Sequence, residues 1–169
     1  MSLANAARRA AAFDVETPLR VLMTADGPKA MAEEAALARY RAEVRAEVQE
    51  ARRRPPVFAE GSPFALVRID SPCQVHPLIA QQWRGRLKDY AVVCANTGYR
   101  PGQVAFSART AIPGFSLPEA FRAVDLGPEH ADAFGHGHDQ ASGGHLPPPA
   151  FNRLLDGLGF DAAAHVAGA

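Results

Sequence analysis

The first third of the chain has the spacing of apolar residues that predicts a long amphipathic helix. No glycine or proline occurs between Ala30 and Arg54. Apolar residues recur along this segment at intervals of three and four: Leu37, Tyr40, Val44, Val48 and Ala51. On a helix they form one apolar stripe. Pro55 and Pro56 follow directly and cannot continue a helix, so we predict that the helix ends here and place a domain boundary after residue 56.

Beyond residue 56 the pattern predicts an α/β domain. Three segments have the composition of β-strands: Phe64–Ile69, Tyr90–Asn96 and Gln103–Arg109. The apolar spacing from Val75 to Leu87 predicts a helix between the first two strands, and the turn-forming residues Gly98 to Gly102 predict a hairpin between the last two. A final helix is predicted over Ala150–Leu158. We therefore expect a mixed β-sheet that is flanked by helices and preceded by a long helix.

The composition of the chain indicates its cellular compartment and excludes some classes of partner. The 169 residues are 47% hydrophobic, which is typical of globular domains, and no apolar run approaches the roughly 20 residues needed to cross a bilayer. The N-terminus lacks the order of a signal peptide. Cys73 and Cys94 are too far apart for a CxxC pair or half of a zinc quartet. We expect a cytoplasmic protein with reduced cysteines and no membrane partner.

Charge is balanced over the whole chain but not locally. The formal net charge is +0, which argues against binding of nucleic acid over the whole surface. From Arg84 to Arg109 there are five basic residues and one acid, whereas from Thr110 onward there are two basic residues and seven acids. The sequence therefore allows a local anion-binding strip, and ordinary surface charge is the alternative.

Glycine and histidine are concentrated between Phe134 and His145. Four residues in this segment are glycines: Gly135, Gly137, Gly143 and Gly144. Glycines let a backbone approach an anion closely and let successive NH groups point into one concavity, so the segment is a candidate anion-binding loop. His136, His138, Asp139 and His145 are also possible zinc or manganese ligands, although their spacing matches no standard pattern. A surface loop without a ligand is the third alternative.

Two motifs resemble those of a known superfamily. The sequence Gly135-His-Gly-His-Asp-Gln-Ala-Ser-Gly143 is similar to the GGGHxxAAG signature of the DHHA1 domain of DHH phosphoesterases, with His136 and Ser142 as departures. The strand Val104-Ala-Phe-Ser-Ala-Arg-Thr110 resembles the SxR(S/T) strand of that domain. Residues two apart on a strand share one side. Ser107 and Arg109 are therefore expected to face one pocket, where a guanidinium can bind two phosphate oxygens.

The N-terminal segments resemble the RecJ-type single-stranded-DNA exonucleases within this superfamily. Asn5-Ala-Ala-Arg-Arg9 is similar to NAAGR, with Arg8 in place of the glycine, and Leu19-Arg-Val-Leu-Met-Thr-Ala-Asp26 is similar to LLLTDD. The resemblance covers Asn5 to about Phe160. It implies that residues 1–56 are connector helices from the end of a DHH domain, and that residues 57–169 are a DHHA1 substrate-binding domain.

The resemblance also implies a function, hydrolysis of phosphodiesters from the five-prime end of single-stranded DNA in DNA repair. In the family the DHH half holds the Mn²⁺ or Mg²⁺ ions, and no DHH tripeptide occurs here. We therefore expect a piece of a larger nuclease, without catalytic residues, metal or cofactor of its own. Its expected partners are single-stranded nucleic acid and an upstream DHH domain. The expected phosphate-binding residues are Arg9, Ser107, Arg109, Gly135, Gly137, His138, Ala141, Ser142 and Gly143.

Two alternatives to the RecJ-type function stay open. A similar DHHA1 domain occurs in small-substrate DHH phosphodiesterases that act on nanoRNA, cyclic dinucleotides or a bisphosphate nucleotide, and the long connector favours RecJ over these. A non-catalytic nucleic-acid-binding or partner-binding module is the other alternative. We also expect the first helix to pack poorly in this chain, because its apolar stripe should contact the DHH half.

Overall fold

The computed structural model describes residues 2–167; the side chains of Pro28, Met31 and Ala32 are not described. The helices are Leu3–Arg9 (α1), Glu16–Thr24 (α2), Pro28–Glu33 (α3), Ala35–Ala51 (α4), His76–Arg84 (α5), Leu117–Arg122 (α6) and Pro148–Gly157 (α7). The strands are Val57–Phe58 (β1), Phe64–Ile69 (β2), Ala91–Arg100 (β3), Gln103–Thr110 (β4), Phe134–His138 (β5) and Ala141–Leu146 (β6). Short 3-10 turns lie at Pro128–His130 and Ala162–Ala164.

The six strands form one mixed sheet in the order β1-β2-β3-β4-β6-β5. Strands β2 and β3 are parallel, with Leu66 opposite Val93, and α5 forms the crossover between them. The other neighbouring pairs are antiparallel. The α/β fold with a mixed sheet flanked by helices is therefore confirmed. Strand β3 extends beyond its predicted end to Arg100, and its pairing with β4 is irregular between Asn96 and Arg100.

One face of the sheet packs on the two C-terminal helices. The buried helical residues on this side are Leu117 and Phe121 of α6 and Phe151, Leu154 and Leu155 of α7. Strand β4 contributes Phe106, whose ring centroid lies 5.9 Å from that of Phe121 and 5.2 Å from that of Phe151. Because side chains alternate along a strand, Ser107 and Arg109 face the opposite side of the sheet.

The opposite face packs on α1, α4 and α5. Its buried residues include Ala6, Ala7 and Ala10 at α1, Leu37, Tyr40 and Val44 of α4, Ile79 and Ala80 of α5, and Val67, Val92 and Cys94 of the sheet. The apolar faces of α1 and α4 are thus covered within the chain, and the expectation of poor packing is wrong. The alanines of α1 let that helix approach α4 closely. Large apolar residues that stay exposed lie instead before α2 (Phe13 and Val15), on α2 (Leu19, Leu22 and Met23) and on β1 (Val57 and Phe58).

The long helix is interrupted. Helix α3 ends at Glu33 and α4 begins at Ala35, because Glu34 has an extended backbone with φ −66° and ψ 109°. No glycine or proline lies at this break, so helix propensity does not explain where α4 begins. The boundary after residue 56 stays a prediction, since the helices before it and the sheet after it share one hydrophobic cluster. Among the described residues, no helix combines the length and the hydropathy that a membrane span requires.

Candidate anion-binding site

Strand β4 brings Ser107 and Arg109 together on the helix-α5 side of the sheet. Nη1 of Arg109 donates to Oγ of Ser107 at 2.8 Å, and also to the carbonyl oxygens of Ala108 at 2.7 Å and Ser142 at 3.4 Å. Burial lowers the pKa of Arg109 below its ordinary value, and neighbouring Arg84 lowers it further. These bonds hold the guanidinium in one orientation, as recognition of a phosphate requires.

These two residues line a pocket of about 360 Å³. Its lining residues are Gln74, His76, Pro77, Tyr99, Arg100, Ala105, Phe106, Ser107, Arg109, His136, Ala141, Ser142, Gly144 and His145. This set contains two arginines and three histidines but no carboxylate. A cleft lined by one sign of charge concentrates ions of the opposite sign, so the pocket suits an anion.

Arg9 reaches the same region from α1. Its Nη1 donates to the carbonyl oxygen of Gln74 at 2.9 Å, and the backbone NH of Gln74 donates to the carbonyl oxygen of Arg9 at 2.8 Å. Burial lowers the pKa of Arg9, as do Arg8 and Arg109, while Tyr99 acts in the opposite direction. The N-terminal helix is therefore bonded to the pocket wall, and its arginine lies within electrostatic reach of Arg109.

The glycine-rich segment is a β-hairpin, and its prediction as a loop is wrong. Strands β5 and β6 pair antiparallel and β6 also pairs with β4. A Cβ on Gly143 would lie 2.5 Å from the carbonyl oxygen of Phe106, and a Cβ on Gly144 would lie 2.6 Å from Cα of Phe134. Close approach of three strands therefore requires these glycines, which gives them a packing role, and their expected role in anion binding stays a prediction.

Some of the residues that were expected to bind phosphate lie on the hairpin and line the pocket, and others on the hairpin do not. Ala141 and Ser142 line it, and Oγ of Ser142 donates to the carbonyl oxygen of His136 at 2.8 Å. The remaining residues expected on this segment are not among the lining residues: Gly135, Gly137, His138 and Gly143. His136 and His145 line the pocket instead.

The lining residues that sequence reasoning missed include four polar residues outside the hairpin: Gln74, His76, Tyr99 and Arg100. His76 is only 5% exposed, and burial together with Arg9, Arg109 and Arg100 lowers its pKa to about 4. The ring centroids of His76 and Tyr99 lie 5.8 Å apart. No motif signals this set, because the residues belong to the β2–α5 connection, to the start of α5 and to the end of β3, which only the parallel pairing brings together.

The side chain of Asn96, on strand β3, hydrogen-bonds the backbone of the β2–α5 connection. Its side chain is fully buried, and Oδ1 accepts from the backbone NH groups of Ser71 at 2.9 Å and Gly98 at 3.2 Å. Its Nδ2 donates to the carbonyl oxygen of Cys73 at 3.0 Å. One side chain thus satisfies three backbone groups next to the pocket wall.

Replacing Asn96 by alanine is expected to lower the free energy of unfolding by about 1.5 kcal/mol, because buried backbone groups then lose their partners. Urea unfolding of the chain measures this change. Asn5→Ala is the matched control, since Asn5 is exposed, and it should leave the urea midpoint unchanged. Equal midpoints for both variants and the parent chain would contradict the role assigned to Asn96.

The positions of the histidine, cysteine and acidic side chains bear on the metal alternative. Across residues 2–167, no three histidine, cysteine, aspartate or glutamate side chains are grouped as ligands for one ion. Oδ1 of Asp139 accepts from Oγ of Ser116 at 2.9 Å. The two cysteines are buried free thiols, and burial raises the pKa of Cys73 to about 12 with a further contribution from Glu43.

Fold and site together define an α/β domain that has, on one face of its sheet, a pocket with arginines and no carboxylate in its lining. No protein-family model matches this chain, and no curated protein matches it in sequence. Two solved structures of RecJ from Thermus thermophilus, one in complex with Mg²⁺ and one with Mn²⁺, are similar in fold. Each is 20% identical with a TM-score of 0.64 over 96% of this chain. The C-Ala domain of alanyl-tRNA synthetase from Aquifex aeolicus matches at a TM-score of 0.43 and 17% identity, over 63% of this chain and 99% of that domain.

The RecJ likeness is one of fold. The chain spans 24% of the length of the Mg²⁺-bound RecJ and 23% of the Mn²⁺-bound RecJ. It therefore corresponds to about a quarter of such a protein and has a RecJ-like α/β domain.

Proposed function

We propose that this chain binds single-stranded nucleic acid and holds the five-prime terminal phosphate of a strand in the pocket beside Arg109. The observation that carries the proposal is the fixed guanidinium of Arg109, which hydrogen-bonds Ser107 in a pocket with no carboxylate in its lining. Arg9 and Arg100 add positive charge, as the pKa of His76 reflects. The RecJ-like fold and the SxR(S/T) strand support the same function.

In this proposal, hydrolysis belongs to a DHH domain outside the chain, and the chain positions the substrate. The described residues offer no ligand group for Mn²⁺ or Mg²⁺, so we assign such ions to that domain. The chain's own contribution is to fix one end of the strand, which orients the scissile bond without reacting with it.

Binding of matched oligonucleotides tests this function. Fluorescence anisotropy should show tighter binding of a single strand with a five-prime phosphate than of the same strand with a five-prime hydroxyl. Contact of three cationic groups with phosphates predicts a slope of about −2 for log affinity against log salt, or roughly a 20-fold loss between 50 and 200 mM. Equal affinity for both ends would contradict the terminal-phosphate assignment. Competition by a phosphorylated dinucleotide as strong as by the long strand would favour the small-substrate alternative.

The chain by itself is expected to hydrolyse neither single-stranded DNA nor a phosphodiester model compound in manganese, because we place the metal ligands elsewhere. Incubation of the purified chain with end-labelled DNA, followed by gel separation, measures this. The matched control is the Arg109→Ala variant purified in parallel, which reveals contaminating nuclease. Hydrolysis by the parent chain that is lost in the variant would show that this chain carries catalytic groups.

A further inference from the structure

The imidazole of His76 is the least explained polar group in the pocket. The side chain is 95% buried, as its 5% exposure shows, yet it lines the pocket. Within the described residues, its Nδ1 has almost no solvent-accessible surface and no hydrogen-bond partner, so a ligand can reach this atom only if the ring turns. A buried polar nitrogen without a partner costs about 1–3 kcal/mol. Such a cost at the wall of an anion pocket indicates a group whose partner arrives with the ligand.

The surroundings of His76 specify what that partner is. Arg9, Arg109 and Arg100 all act on the imidazole electrostatically, so the ring is placed among cations. His76 is also the first residue of α5, a helix that begins without a side-chain cap and has Pro77 in its first turn. The partial positive charge at this helix terminus adds to that of the arginines. A ligand that enters here must be an anion with hydrogen-bond acceptors.

We propose that the His76 ring turns when phosphate binds, so that Nδ1–H donates a hydrogen bond to a phosphate oxygen bound beside Arg109, making His76 a specificity-determining residue of this pocket. This deepens the proposed function and rests on it. At neutral pH the ring is uncharged, because burial and the arginines hold its pKa at about 4. A neutral imidazole has one donor and one acceptor, so a phosphate, which offers only acceptors, selects the tautomer with the proton on Nδ1.

Three substitutions separate this role from a packing role. His76→Leu removes both nitrogens, and we expect it to weaken binding of the five-prime-phosphorylated strand by about 10-fold. His76→Asn places an amide nitrogen on Cγ, where Nδ1 is attached, and should restore most of the affinity. His76→Gln carries its amide one bond further out and should restore little. Equal affinities for Leu, Asn and the parent chain, or equal rescue by Asn and Gln, would overturn the assignment of Nδ1.

A measurement on the unsubstituted chain keeps the proposal testable if a variant does not fold. Nitrogen NMR of the histidine rings, with inorganic phosphate as the probe, distinguishes a protonated from an unprotonated Nδ1. We expect Nδ1 of His76 to be protonated in the phosphate complex at neutral pH, and His165, which bonds Asp156 at 2.7 Å, to stay unchanged as the internal control. Phosphate binding that leaves the His76 nitrogen signals unmoved would overturn the proposal.

The two levels of inference can fail separately. If the parent chain does not distinguish phosphorylated from hydroxyl-ended strands, the proposed function fails. The titration with inorganic phosphate then tests by itself whether His76 contacts a phosphate. If the parent chain does distinguish them and His76→Leu binds like the parent, the function stands and His76 is a packing residue.

Discussion

Replacing Arg109 by alanine should weaken binding of a five-prime-phosphorylated single strand by about 1.5–3 kcal/mol and leave the hydroxyl-ended strand nearly unchanged. Within the described part of the chain, the hydrogen bonds of this guanidinium to the protein all come from Nη1. Its Nε and Nη2 are therefore the atoms left to bind two phosphate oxygens side by side. Arg109→Lys keeps the charge but lacks the planar pair of NH donors. It should therefore recover less than half of the binding free energy that Arg109→Ala loses.

Anisotropy titrations at two salt concentrations measure this effect on both strands. Arg53→Ala is the matched control, because it removes the same charge from an arginine whose side chain is 78% exposed and pairs only with Glu50 among the described residues. It should reduce affinity equally and slightly for both strands. If Arg109→Ala reduces binding of the two strands by the same factor, Arg109 is a general electrostatic contact and the pocket does not hold the strand end.

Gly144→Ala should lower the free energy of unfolding by about 3 kcal/mol, although it adds a single methyl group. The added Cβ would meet the carbonyl oxygen of Ala133, and it would lie 2.6 Å from Cα and 2.8 Å from Cβ of Phe134. These are backbone and near-backbone atoms, so relief requires separation of β5 from β6 and cannot come from rotation of a flexible side chain.

Urea unfolding followed by circular dichroism gives this free energy. Gly85→Ala is the matched control, because its Cβ would lie 3.5 Å from the nearest atom, the carbonyl oxygen of Gln82, and its φ of −68° suits any residue. The control should be as stable as the parent chain or up to about 1 kcal/mol more stable. A Gly144→Ala variant within about 0.5 kcal/mol of the parent would show that the glycine is not required by strand packing.

The glycine-rich segment shows that a sequence motif can mark a segment correctly while its predicted conformation is wrong. Two residues of the pattern Gly135 to Gly143, Ala141 and Ser142, line the pocket, and their role in phosphate binding stays a prediction. The interpretation of the segment as a loop was wrong, because a short alternation of glycine with histidine does not distinguish a loop from a strand in a tightly packed sheet. The reason that positions 143 and 144 are glycines is visible only in the neighbouring strands, because Phe106 lies next to Gly143 and Phe134 next to Gly144.

Local periodicity by itself determined the helix α4, the strands β2 to β4, the hairpin that joins β3 to β4 and the common side of Ser107 and Arg109. It could do so because apolar stripes and strand alternation are properties of neighbouring residues. Tertiary structure alone decided that Arg9, which is not a lining residue, bonds Gln74 of the pocket wall, that the crossover after β2 buries His76 there, and that His136 rather than His138 lines the pocket. These placements depend on which strands pair and in what register, and contacts between residues distant in sequence leave no periodic trace along the chain.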